Sequence, residues 1–160
     1  MWILHADGSF TEQTDDHDLT LPEAGWGFAV DDPIKQRRGE GLGPVCNEPG
    51  PNFLGAVNLA SSTGEAEGVL RGFLFIEQKI DKFQKEGMRD LVINVDNALG
   101  AMSALGLWVM YDEPGLMLGL IKVASRLIAR GVSLYVHWRR SHQDHDIGQI
   151  WALGNDRADV

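Results

Sequence analysis

The hydrophobic pattern of this chain changes period near residue 61, and that change limits the folds open to it. Before it, apolar residues alternate in short stretches, WILHADGSF at residues 2–10 and AGWGFAV at residues 24–30, as in strands that bury one face. A third extended segment is expected within GPVCNEPGPNFLGAVNLA, residues 43–60, leaving EQTDDHDLTLPE and DDPIKQRRGEG as loops. After it, Val69, Phe73, Ile76, Ile80 and Phe83 recur at helical spacing. They predict a helix capped by Ser62 or Thr63, running to about Glu86 and closed by Gly87. DLVINVDN, residues 90–97, reads as a buried strand, and ALGAMSALG as a short helix. A longer helix starts at Pro114, with Leu116, Leu120, Val123 and Leu127 as its stripe and Gly131 as its stop. VSLYVHW alternates again, with Leu134, Val136 and Trp138 on one face. In the last loop Ile147, Ile150 and Trp151 suit a short helical turn, and GNDRAD a helix start. The order of three strands, helix, strand, one or two helices and strand is α/β, with an antiparallel beginning and crossover helices after it.

The 160 residues, 44% hydrophobic and 8% aromatic, suffice for the core of a single domain spanning 1–160. No apolar run reaches membrane-spanning length, and MWILHADGSF lacks the basic head and long apolar stretch of a signal peptide. The expectation is a protein with no membrane partner, in the cytoplasm or another intracellular compartment. Cys46 is the one cysteine, which excludes an internal disulfide and a cysteine-rich zinc site. The net charge of −9 argues against a passive nucleic-acid-binding module. It argues less against an enzyme whose clustered carboxylates are neutralised by cations.

Three acidic residues stand where such a cluster would form. Asp7 lies on a hydrophobic strand before Gly8, Asp96 lies at the carboxyl end of another, and Glu65 lies on the first turn of the long helix. Strand ends and a helix start can meet at one point, and carboxylates forced together are stable chiefly around hard divalent cations. The plainer alternative for Asp7 and for Asp96-Asn97 is turn chemistry. For Asp156 and Asp159 it is a helix N-terminus that favours negative charge.

Taken in order, these residues resemble the ribonuclease H family along nearly the whole chain. The family's first-strand Asp-Gly-Ser is matched by Asp7-Gly8-Ser9, and its glycine-rich second strand by AGWGFAV. Its polar run ending in a small residue and Glu is matched by Ser61-Ser62-Thr63-Gly64-Glu65. VINVDN matches the strand ending in Asp-Ser, VHWRRSH the strand followed by a small residue and His, and Asn155-Asp156-Arg157-Ala158-Asp159 the ending Asn-Glu-x-Ala-Asp. The resemblance implies a five-stranded mixed sheet, three antiparallel strands then parallel ones, flanked by helices. It implies two Mg²⁺ or Mn²⁺ ions held by Asp7, Glu65, Asp96 and Asp159, and hydrolysis of the RNA strand of an RNA–DNA hybrid. His142 would assist proton transfer or product release, and Gly8, Ser9, Ser61, Ser62 and Asn97 would contact substrate. For the second carboxylate, Glu65 shares the sheet-facing stripe of Val69 and Phe73. Glu67 is turned about 200° away, in line with Arg71 as a surface ion pair.

The chain departs from the family pattern in ways that bear on function. Ser61 and Ser62 replace two Asn, Asn97 replaces Ser, the loop QDHDIGQIWALG is longer than usual, and the chain given ends at Val160, short of the family's final helix. The expectation is therefore a monomer that is either a domain cut from a longer protein, such as a retroelement polyprotein, or an enzyme that manages without that helix, with Lys35, Arg37, Arg38, Arg139 and Arg140 or a neighbouring domain holding the hybrid. Two alternatives stay open: a related nuclease acting on another nucleic acid, and a catalytically silent module of the same fold used for structure or protein binding.

Overall fold

The computed structural model describes the backbone of residues 1–14, 20–139 and 149–153, and the side chains of residues 1–10 and 23–139. Its elements are β1 (Trp2–Thr14), β2 (Thr20–Asp31), β3 (Arg37–Pro44), α1 (Ser61–Gln78), α2 (Ile80–Lys85), β4 (Asp90–Val95), α3 (Leu99–Ala104), α4 (Pro114–Ala129), β5 (Ser133–Trp138) and β6 (Gln149–Leu153). The sheet runs β3, β2, β1, β4, β5, β6. β1 pairs antiparallel with β2, and β2 with β3, while β4 lies parallel to both β1 and β5. The expected five-stranded mixed sheet is therefore present, and β6 extends it antiparallel to β5.

The alternating and helical stripes bury as read. Leu4 of β1, Leu91 and Ile93 of β4, and Leu134 and Val136 of β5 meet Phe73 and Ile76 of α1 in one core, which Leu116, Leu120 and Leu127 of α4 extend. Each such side chain contributes roughly 1.5–3 kcal/mol on leaving water. α1 lies against β1 and β2, with α3 and α4 packed on it. Its seat on the sheet is made by glycine. Gly64, Gly68 and Gly72 stand one turn apart, and a Cβ on Gly64 would run into the carbonyl oxygen of Gly25, while one on Gly68 would lie 2.5 Å from that of Gly27. Gly8 of β1 answers from below, its missing Cβ leaving room for the carbonyl of Ser61. Backbone thus rests on backbone where the first turns of α1 cross β1. Among the described residues no helix is long and apolar enough to cross a membrane.

Four local expectations are corrected. The third strand is Arg37–Pro44, in the stretch read as loop, and residues 45–60 form the loop instead. Its sequence hides it, because Gly39, Gly41 and Gly43 sit against the rings of Phe75, Phe28 and Trp26, so its neighbours supply the apolar groups a strand usually carries. The long helix closes at Gln78, and α2 follows after Lys79. Its N-cap is Ala60 with no side-chain cap, since Thr63 donates its hydroxyl to Glu113 Oε2 at 2.9 Å and Ser62 is exposed. Finally, Ile150 and Trp151 belong to β6, where pairing with His137 and Val136 replaces the expected helical turn.

Candidate active site

Two strands and one helix deliver three carboxylates to a single cleft. His5 of β1 and Asn94 of β4 are register partners, so Asp7 and Asp96, each two residues further along, emerge side by side past the end of the β1–β4 pairing. Asp7 stays within β1, and its Oδ1 accepts the N–H of Gly8 at 2.9 Å. Asp96 follows the last residue of β4, and its carbonyl accepts Trp138 Nε1–H at 2.9 Å. Glu65 comes down from one turn inside α1, and its Oε1 accepts the N–H of Asn97 at 2.8 Å. The three residues each offer a carboxylate oxygen, and these oxygens lie within 4.8 Å of one another. The cleft has a volume of about 490 Å³ and is lined by these acids with Gly8, Ser61, Ser62, Asn97 and Trp138. That is room for hydrated cations beside a phosphodiester.

Asp7 and Asp96 are exposed, whereas Glu65 is 5% exposed. Burial, together with the negative charges of Asp96 and Asp7, pushes the Glu65 carboxyl up from 4.5 to about 8, against the hydrogen bonds from the backbone at Asn97 and Asp96. A buried carboxylate facing two others is poorly compensated by this chain alone. The donor set, all hard oxygen with no basic side chain among the described residues that line the cleft, suits a divalent cation such as Mg²⁺ or Mn²⁺.

The fold that carries this cleft recurs in solved structures. LC11-RNase H1, isolated from compost by a metagenomic approach, is similar at a TM-score of 0.59 and 16% identity, over 88% of this chain and 84% of that one. The N-terminal RNase H domain of a Mycobacterium tuberculosis protein is similar at 0.54 and 16%, over 86% and 85%. The chain has the ribonuclease H fold. LC11-RNase H1 in complex with an RNA/DNA hybrid is similar at 0.50 and 14%, over 87% and 86%. No protein-family model matches the chain, and no curated protein matches it by sequence.

Within the ribonuclease H fold, Asp7, Gly8, Ser61, Ser62, Glu65, Asp96 and Asn97 meet in one cleft. Ser9 does not join them. It lines a separate hollow with Glu23, Gly25 and Pro44. Asp159 and His142 lie outside the described residues. Asn97 also serves the turn, its Oδ1 accepting the N–H of Leu99 at 2.9 Å as α3 begins. Two residues that motif reading did not single out shape this region. Trp138 walls the cleft and braces Asp96, and Glu113 accepts from Val57 N–H at 2.7 Å as well as from Thr63, tying the loop and α4 to the first turn of α1. The alternation that put Trp138 on one face with Val136 was the available signal for the first.

Glu67 corrects the expectation of a surface ion pair. Its partner is Arg71, with Nε to Oε2 at 3.0 Å, but the side chain is 0% exposed and Oε1 has no hydrogen-bond partner among the described residues. The Arg71 guanidinium lies 4.4 Å from the Trp26 ring centroid and donates to the carbonyl of Asn52 at 2.9 Å. The helical-wheel argument assumed water on the side of α1 away from the sheet, whereas every residue from Thr63 to Leu70 is buried.

Proposed function

We propose that the chain hydrolyses the RNA strand of RNA–DNA hybrids in a reaction that needs Mg²⁺ or Mn²⁺, leaving a 5′-phosphate and a 3′-hydroxyl. The convergence of Asp7, Glu65 and Asp96 carries this reading. The fold supports it, as does the hybrid bound by LC11-RNase H1, a protein of that fold. Two divalent ions, when bound, supply the Lewis acidity that activates a water and neutralises the leaving oxygen.

The chain's own residues set the conditions for that chemistry. Asp7 on β1 and Asp96 just past the end of β4 are exposed, and Glu65 contributes a third carboxylate held by the Asn97 N–H. Trp138 and the close seating of α1 keep the three from spreading apart. In this reading Asp159 completes the ligand set, and His142 moves a proton or aids release of product. Gly8 lines the cleft with backbone alone, while Ser61, Ser62, Asn97 and, from the neighbouring hollow, Ser9 offer polar contacts that distinguish RNA by its 2′-hydroxyl.

The test is cleavage of an end-labelled RNA–DNA hybrid in Mg²⁺ and in Mn²⁺, beside a DNA duplex and the Asp96→Asn variant. Cutting confined to the RNA of the hybrid, and lost in Asp96→Asn, is expected. Cutting of the DNA duplex would assign the site to another nucleic acid. No cutting by a folded chain whose melting temperature is indifferent to Mg²⁺ would make it a silent module.

A further inference from the structure

Beside the carboxylate cleft lies a second cavity of about 650 Å³, and Ser62 lines both. Its walls join the apolar side chains of Leu59, Leu99, Val109, Met110 and Tyr111 to polar ones that include Asp112 and Glu113, and among the described residues no Lys or Arg lines it. The loop between α3 and α4 that forms one side is held from several directions. The Met102 carbonyl accepts the N–H groups of Leu107 at 3.1 Å and Trp108 at 3.4 Å, Met110 N–H donates to Met117 Sδ at 3.3 Å, and Glu113 fixes the far end. Met110 is drawn into the core by these anchors, yet Tyr111 is left 86% exposed and Val109 half exposed. Trp108 stands edge-on to Trp138 at 5.9 Å, so an aromatic surface joins this loop to the cleft wall.

A hollow whose walls mix apolar groups with Asn58 and the acids Asp112 and Glu113, with an exposed aromatic on the pinned loop and no Lys or Arg among the described residues that line it, does not suit phosphate. It suits a flat, uncharged ring, and a nucleobase of the strand lying in the adjoining cleft is the ring within reach. We infer that this cavity receives an unstacked base of the nucleic acid bound at the carboxylates, with Tyr111 and Val109 packing on its faces. The inference rests on the proposed nuclease reading and refines its substrate class. The favoured hybrid carries a base free of the stack near the scissile bond, at a bulge, a mismatch or a strand end, because a base in continuous duplex cannot enter.

The test uses an RNA–DNA hybrid with a single bulged 2-aminopurine in the RNA strand. Titration with the protein in Ca²⁺, a divalent cation that neutralises the carboxylates but is a weaker Lewis acid than Mg²⁺, reads the pocket by fluorescence quenching before turnover. Quenching by the wild type, lost in Tyr111→Ala and Val109→Ser and kept in Leu118→Ser, an exposed α4 residue lining neither cavity, is expected. In Mg²⁺, Tyr111→Ala should raise KM for the bulged hybrid ~10-fold with kcat retained, the usual scale of one base–aromatic contact. Absent quenching, or quenching equal in all variants, overturns the pocket and leaves the loop as a surface for some other partner. Quenching without cleavage by the wild type keeps the pocket and removes the nuclease reading. Cleavage without quenching does the reverse.

Discussion

Glu65 is where the fold and the candidate chemistry oppose each other most directly. Its carboxyl is held at about 8 by burial and by Asp96 and Asp7, above the 4.5 of a free glutamic acid. Between those values the folded chain keeps a proton that the unfolded chain releases, so the contribution to stability is full below about 4.5 and is lost as pH rises through about 8. Without metal the melting temperature should therefore decline across that window more steeply for the wild type than for Glu65→Gln. A cation entering the site must displace the proton. Calorimetry in buffers of different ionisation heat should record release of about one proton at pH 7 and a metal affinity that rises toward pH 8, at most about tenfold per unit. In Glu65→Gln the released proton should vanish. Release unchanged in that variant would place the titrating group elsewhere. Asp96→Asn should raise metal-free stability, since a negative charge facing Asp7 and Glu65 is gone, while abolishing the stabilisation by Mg²⁺.

At the scale of elements, the site depends on how closely α1 lies on the sheet. Gly64 is next to Glu65, and a methyl group there meets the carbonyl oxygen of Gly25, which belongs to a paired strand and cannot move aside alone. Gly64→Ala should cost about 1–3 kcal/mol by overpacking and also lift Glu65 away from Asp7, so Mg²⁺-induced stabilisation should fall with the melting temperature. Gly50→Ala, with nothing within 4 Å of the added methyl, is the control and should change neither. If Gly64→Ala loses stability but keeps its full response to Mg²⁺, α1 is not what sets the spacing of the acids. The placement of Glu65 beside Asp7 and Asp96 was legible because a side chain aimed at the sheet shares the periodicity of Val69 and Phe73. The burial of Glu67 was not, because periodicity within one helix carries no information about the loop of residues 45–60 or about α3 and α4 closing over its other side. The strand β3 was illegible for a related reason. Glycines that make room for Phe75, Phe28 and Trp26 resemble a loop until the partner rings are in place.

For the molecule as a whole, charge is the decisive constraint on how a polyanion can be held. The net charge is −9, and the ion pairs of the described residues engage Arg37 with Asp31 and Glu40, Arg38 with Asp32 and Glu86, Arg71 with Glu67, Arg126 with Glu77, and Arg130 with Asp81. Two of these, Arg37 and Arg38, were expected from sequence to face substrate, and their partners lie on β2, in the turn after it, on β3 and in the segment after α2, none of them lining the carboxylate cleft. A groove that neutralises six to ten phosphates loses roughly 10³–10⁵ in affinity between 50 and 200 mM salt. With neither cavity lined by a cation among the described residues, hybrid binding should instead show a log–log salt slope no steeper than about −2, equivalent to about two phosphates neutralised. Fluorescence anisotropy of a labelled hybrid over a KCl series at constant Mg²⁺ measures it. A slope near −5 would locate the grip on cations beyond the described residues. A shallow slope would mean that affinity comes from contacts of short range, the metal-bridged phosphate and the uncharged walls beside it, whose strength ionic screening leaves nearly unchanged.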